Sequence, residues 1–282
     1  MKWTMTTVSF RYHLHSFAEL MKFGADAGFQ GIELWEPHWT RHADAILDYL
    51  QSSQQDALPI RVLSGYQDLT DLAQPTHQWQ QQLRHKLEVC QQLNIPVLRL
   101  FTGQMSSAEA NDSVWQAWLD RLDTLEHMAA ERKVQVVFET HPGTLLDQPD
   151  AVDRFVKAIT TRSWKQIGLN FDVYHVWEFG VDPLDYIQRW FPVIKHIHLK
   201  NASKRTAQFV FANVYHPAGD YSDLTELYQG QIDILPIMQY ASDSGYNGAV
   251  TLEWFGLPSR EQYQRELAYL EQVQVPAKQV LL

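Results

Sequence analysis

A chain of 282 residues can bury a sizeable core and suits one (β/α)₈ barrel, a fold of about 250 residues. With 45% hydrophobic and 20% charged residues it has the make-up of a globular protein, and neither a disordered nor a fibrous one. Its formal net charge of −10 excludes the basic footprint that nucleic acid or an anionic membrane would require of a partner.

Taken in chain order, the N-terminal stretch MKWTMTTVSFRYHLHS has no apolar signal core and no small-residue cleavage site, so a cytoplasmic location is expected. Short β-rich runs then recur, each followed by a segment with helical periodicity. They are MTTVSF (5–10), GIELW (31–35), IRVLSGY (60–66), VLRLF (97–101), QVVFET (135–140), IGLNFD (167–172), IKHIHLK (194–200) and AVTLEW (249–254). Strand–helix alternation of this kind builds a parallel sheet. Eight repeats with no linker between them predict a closed α/β (β/α)₈ TIM barrel over 1–282 as a single domain. Gly28 and Gly31 flank the entry to the second strand as a helix C-cap and a turn. Asn247-Gly248 turns the chain into the eighth strand. The sole cysteine, Cys90, lies in the helical pattern LEVCQQL and reads as a packing residue. No run is long and apolar enough to span a bilayer. The connection at roughly 200–230 is oversized and is expected to act as a functional lid.

Strands of a parallel barrel are buried on both faces, so polar residues within them are informative. Side chains alternate, which places Glu33, Arg99, Glu139, Asn170 with Asp172, His196 with His198 and Lys200, and Glu253 on inward faces. Leu34, Leu98, Leu100, Phe138, Leu169, Phe171, Ile197, Leu199 and Leu252 fall on the outward faces. Glu139, Asp172, His198 and Glu253 come from four successive strand ends, at the rim where such barrels keep their sites. Three converging carboxylates would repel one another and resist desolvation unless a cation joined them. Three oxygens and one imidazole suit Mn²⁺, Mg²⁺ or a related divalent ion, and the lack of thiolates argues against structural zinc. Separate buried ion pairs with Arg99 or Lys200 are the alternative. His141, in E-T-H-P, and His175, in D-V-Y-H, reach the same rim and supply bases titrating near neutrality. Tyr66 ends the third strand. Glu33 and His196 are expected deeper, supporting the ligands.

At these residues the chain resembles the xylose-isomerase-like TIM-barrel superfamily of sugar isomerases, epimerases and dehydratases. The shared pattern is Glu at strand five, D-x-x-H at strand six, H-x-K at strand seven and Glu at strand eight. It is most similar to the 3-dehydroshikimate dehydratases of petrobactin-type siderophore biosynthesis, through TVSFRYHLHSF, GFQGIELW, FETHPGTLLD, LNFDVYHVWEFGVDP, HIHLKN and LEWFG. The resemblance implies conversion of 3-dehydroshikimate to 3,4-dihydroxybenzoate (protocatechuate) with loss of water. It implies a divalent metal, foremost Mn²⁺, on Glu139, Asp172, His198 and Glu253. His175 or His141 would be the base, and Arg99, Lys200 and Tyr66 would contact the small-molecule substrate. A ketose epimerase or isomerase of the same superfamily, working with two metal-bound glutamates, is the main rival. A DNA-repair endonuclease would need more histidine ligands and a basic groove, and a ligand-binding barrel without catalysis would need no metal. Assembly as a homodimer stays open, as does the choice between siderophore synthesis and quinate or shikimate breakdown.

Overall fold

The apolar runs become strands because both of their faces find apolar partners, and the amphipathic segments become the helices that cover them. The computed structural model describes residues 1–52, 58–205 and 221–274. Its strands are β1 (Lys2–Thr6), β2 (Ile32–Trp35), β3 (Ile60–Ser64), β4 (Val97–Leu100), β5 (Gln135–Glu139), β6 (Ile167–Asp172), β7 (Ile194–Leu199) and β8 (Ala249–Leu252). Neighbours pair in parallel, and β8 pairs back onto β1 to close the barrel. Around it lie helices including Phe17–Ala27, Thr76–Gln92, Asp112–Arg132, Pro149–Arg162 and Arg260–Leu270. Gly28 ends the first of these in a left-handed conformation, φ 100°, which a side chain would resist.

The first strand is a correction. It runs over Lys2–Thr6, and Thr7–Phe10 form one 3₁₀ turn instead of extending it to residue 10. Its partner fixes the register: Lys2 lies opposite Ala249, and the Lys2 amide donates to Gly248 O at 2.9 Å. The Thr6 hydroxyl then accepts the Val8 amide at 3.3 Å and turns the chain. The exposed Lys2 had hidden the strand's start.

The outward-facing residues named above are buried at 0–1% exposure in one core shared with the helices. Each such Leu, Ile or Phe contributes about 1.5–3 kcal/mol of burial. Inside the barrel the layers change character along the axis. Val62, Val97, Val137 and Ala249 plug the N-terminal end. One side-chain step further toward the rim on those strands come Ser64, Arg99, Glu139 and Thr251, all buried. The register sets Asp172 opposite His198, and His198 opposite Thr251, so the polar ends of β6 and β7 lie level. Cys90 is fully buried on Thr76–Gln92, as a packing residue should be. Past β7, Asn201–Ala202 pairs with Leu224–Thr225 in a small antiparallel ribbon. Residues 206–220 of the expected lid, with His216, lie outside the described residues. Among the described residues no helix is long and apolar enough to cross a membrane.

Candidate active site

The strand ends deliver the donors. Glu139 and Asp172 are the last residues of β5 and β6, His198 is the penultimate residue of β7, and Glu253 follows β8 directly. One ligand atom from each lies within 4.8 Å of all the others. His198 Nδ1 is 3.5 Å from Glu139 Oε1, 3.6 Å from Asp172 Oδ2 and 3.8 Å from Glu253 Oε2. All four residues are buried. Asp172 also caps Val173–Glu178, accepting the His175 amide at 3.0 Å, which keeps its other oxygen turned to the group.

These residues fit a divalent cation. Among the described residues, His198 Nδ1 is buried and makes no hydrogen bond, an arrangement costly for a polar atom left without a partner. Counting Glu33, four buried carboxylates face only two permanent cations, Arg99 and Lys200. Two positive charges redress that balance, and oxygen with one imidazole is a donor set for Mn²⁺, Mg²⁺ or Zn²⁺.

The other expected residues surround this point. Lys200 Nζ is 2.6 Å from Asp172 Oδ2 and in close contact with Glu253 Oε2. Burial opposes its charge, but Asp172 and Glu253 outweigh burial and keep it an ammonium. Arg99 reaches Glu139 Oε2 at 3.2 Å through Nε, while its Nη1 is buried without a hydrogen-bond acceptor among the described residues. The guanidinium lies 4.5 Å from the Phe101 ring, a cation–π distance. Tyr66 is two residues past β3. Its hydroxyl accepts the Trp35 indole N–H at 2.8 Å and its amide donates to Glu36 Oε2 at 2.8 Å. A cavity of about 790 Å³ opens beside Tyr66 and Phe101, with Gln67, Asp68, Lys86 and Gly143 in its walls.

The two histidines form a pair, their ring centroids 4.3 Å apart. His141 Nδ1 is 2.7 Å from Pro142 O, so that nitrogen carries the proton and Nε2 keeps a lone pair. His175 Nδ1 is 2.5 Å from Glu178 Oε2, and its Nε2 is 3.8 Å from Asp172 Oδ2. The expectation of bases titrating near neutrality is corrected: burial lowers the His141 pKa to about 4 and carries that of His175 well below the usual imidazole value. Both rings are therefore neutral at pH 7, as proton acceptors must be. Glu178 was not singled out in the sequence. Its signal was there: on a helix, three residues after His175 is the same face. Beneath the ring, Glu33 and His196 lie deeper as expected, His196 Nε2 at 2.9 Å from Glu33 Oε2.

The chain as a whole has relatives. The family described as xylose isomerase-like TIM barrel matches residues 21–273. A 3-dehydroshikimate dehydratase of Bacillus anthracis is 30% identical over 283 residues, 96% of this chain and 96% of that protein. An inosose dehydratase of Klebsiella pneumoniae is 29% identical over 152 residues, 51% of this chain and 48% of that protein. The crystal structure of the probable 3-DHS dehydratase involved in petrobactin synthesis from Bacillus anthracis matches with a TM-score of 0.86 at 28% identity, over 96% of this chain and 99% of that one. The 3-keto-D-glucoside 4-epimerase of E. coli matches with a TM-score of 0.73 at 15% identity, over 96% and 99% of the two chains, a likeness of fold alone. The chain belongs to the xylose isomerase-like TIM-barrel family.

Proposed function

We propose that this chain is a metal-dependent 3-dehydroshikimate dehydratase that forms 3,4-dihydroxybenzoate and water. The observation that carries the reading is the convergence of Glu139, Asp172, His198 and Glu253 beside two neutral buried imidazoles. The likeness to a dehydratase along 96% of the chain supports dehydration as the reaction.

In the substrate the C3 ketone acidifies the C4 proton, and the C5 hydroxyl is β to that ketone. Mn²⁺, the ion proposed for the site, supplies Lewis-acid stabilisation of the negative charge that develops next to the ketone. His175 is the base. With Nδ1–H donated to Glu178, its Nε2 lone pair takes the C4 proton, and the Glu178 carboxylate steadies the imidazolium that results. The electron pair left at C4 expels the C5 hydroxyl, which departs as water with the proton that the His175 imidazolium returns from Nε2. His141, its ring centroid 4.3 Å away and tilted by 57°, can accept a hydrogen bond from the departing water at Nε2. Loss of a C6 proton and gain of one on the C3 oxygen then give the aromatic ring. Arg99 Nη1 and the Lys200 ammonium are the donors for substrate oxygens or the carboxylate, and Tyr66 contacts a ring hydroxyl. Glu253 is the poorer base because its charge is committed to Lys200 and the cation.

The test is incubation of the chain with 3-dehydroshikimate, with and without a chelator. Ultraviolet absorbance of a catechol acid that the chelator abolishes is expected. Silence toward 3-dehydroshikimate together with interconversion of ketoses would transfer the site to the epimerase reading.

A further inference from the structure

Glu33 ligates nothing in the reading above, yet it is completely buried and densely engaged. From β2 its carboxylate meets His198 Nε2 at 3.0 and 3.1 Å and His196 Nε2 at 2.9 Å. Ser64 Oγ is in close contact with Oε1, and Arg99 Nε stands 3.8 Å from the same oxygen. His196 is itself anchored through Nδ1, 3.0 Å from Ala249 O.

An imidazole nitrogen can bind a cation only through a lone pair, so its one proton must sit on the other nitrogen. In His198, Nδ1 faces Glu139, Asp172 and Glu253, while Nε2 faces Glu33. The acceptor on Nε2 therefore decides whether Nδ1 is available. Ser64 donates to that acceptor, which steadies the carboxylate beside His198. Arg99 spans Glu33 and Glu139, which couples the same carboxylate to a second donor of the group.

We propose that Glu33 is the positioning residue of the cation site: it fixes His198 in the tautomer whose Nδ1 lone pair points at the other three donors, without touching the ion. The proposal rests on reading Glu139, Asp172, His198 and Glu253 as ligands. Partners of this kind change metal affinity by about 10–100-fold.

The experiment is Mn²⁺ titration of the full chain, with free ion followed by electron paramagnetic resonance. The samples are the unsubstituted protein, Glu33→Gln, His198→Ala and the double variant, each checked by circular dichroism. Glu33→Gln is expected to weaken Mn²⁺ binding about 10–100-fold where His198 is present, and less than about threefold in the His198→Ala background. Equal losses in both backgrounds, or no loss in either, would overturn the proposal. Two ions per chain would also overturn it, because Glu33, His196 and His198 lie close enough to be ligands of a second one. An unsubstituted chain that binds no Mn²⁺ would remove the cation site itself, an outcome distinct from unchanged affinity in Glu33→Gln. Should Glu33→Gln fail to fold, ¹⁵N spectra of the Zn²⁺-loaded unsubstituted protein decide: His198 must carry its proton on Nε2, and a proton on Nδ1 ends the proposal.

Discussion

Glu266 on helix Arg260–Leu270 offers a prediction whose size follows from the structure. Its carboxyl is buried, at 3% exposure, and accepts the Leu227 amide at 3.1 Å. The adjacent Arg265 is held by Glu226 at 2.5 Å and offsets only a small part of the burial. Burial pushes the Glu266 pKa up from 4.5 to about 8, so the folded chain keeps a proton that the unfolded chain releases. The sign follows: the stabilisation tied to that proton is complete below pH 4.5 and is lost as pH rises through about 8. Each pH unit between these values costs about 1.4 kcal/mol. At pH 7 the loss is about 3 kcal/mol by the same relation. Glu266→Gln keeps the shape and the acceptor for Leu227 but has no proton to lose. Urea unfolding of both proteins from pH 5 to 9 should give equal stabilities near pH 5 and a growing advantage for Glu266→Gln, by about 1.4 kcal/mol per unit toward pH 8. Parallel pH profiles for the two proteins would refute the argument, since they would mean that Glu266 is ionised in the fold.

Other predictions concern the site directly. Glu139→Gln, Asp172→Asn and His198→Ala should each abolish turnover and weaken metal binding, because each removes a donor from a group of four; elemental analysis and calorimetry check this, and wild-type kcat in any one variant would take that residue out of the site. His175→Ala should lower kcat by about 10²–10⁴-fold at unchanged metal content, with a related loss for His141→Ala. If both variants turn over within a few-fold of wild type, a carboxylate such as Glu253 becomes the better base. The rate should fall at acid pH as the base protonates, and because burial depresses both imidazoles the fall should begin below their ordinary pKa of about 6.5. A limb centred at or above that value would show that neither ring is the base.

Much of this was legible in the chain itself, for a physical reason. A parallel barrel strand has no solvent face, so Glu139, Asp172 and His198 stand out in runs that should be apolar, and strict alternation tells which way they point. Residues just past a strand obey no such alternation. Tyr66, Lys200 and Glu253 were read inside their strands, and the structure sets them one or two residues beyond the strand ends. That Lys200 would bridge Asp172 and Glu253 could not be read, because it depends on loop backbone. The Glu33 cluster was half legible: inward direction follows from alternation, but its contact with His198 on β7 arises only because β8 closes onto β1, which brings β2 and β7, far apart in sequence, within reach across the interior. The start of β1 was hidden because Lys2 and Trp3 do not look like the apolar run that follows them.

The central claim is that four convergent donors and two neutral histidines dehydrate 3-dehydroshikimate. The most direct measurement is product formation by the full chain after exhaustive chelation, followed by stepwise return of Mn²⁺. The account predicts no 3,4-dihydroxybenzoate from the stripped protein and a rate that rises with added ion and saturates at one per chain. Full-rate product formation by the stripped protein, or none at any Mn²⁺ concentration, would contradict it.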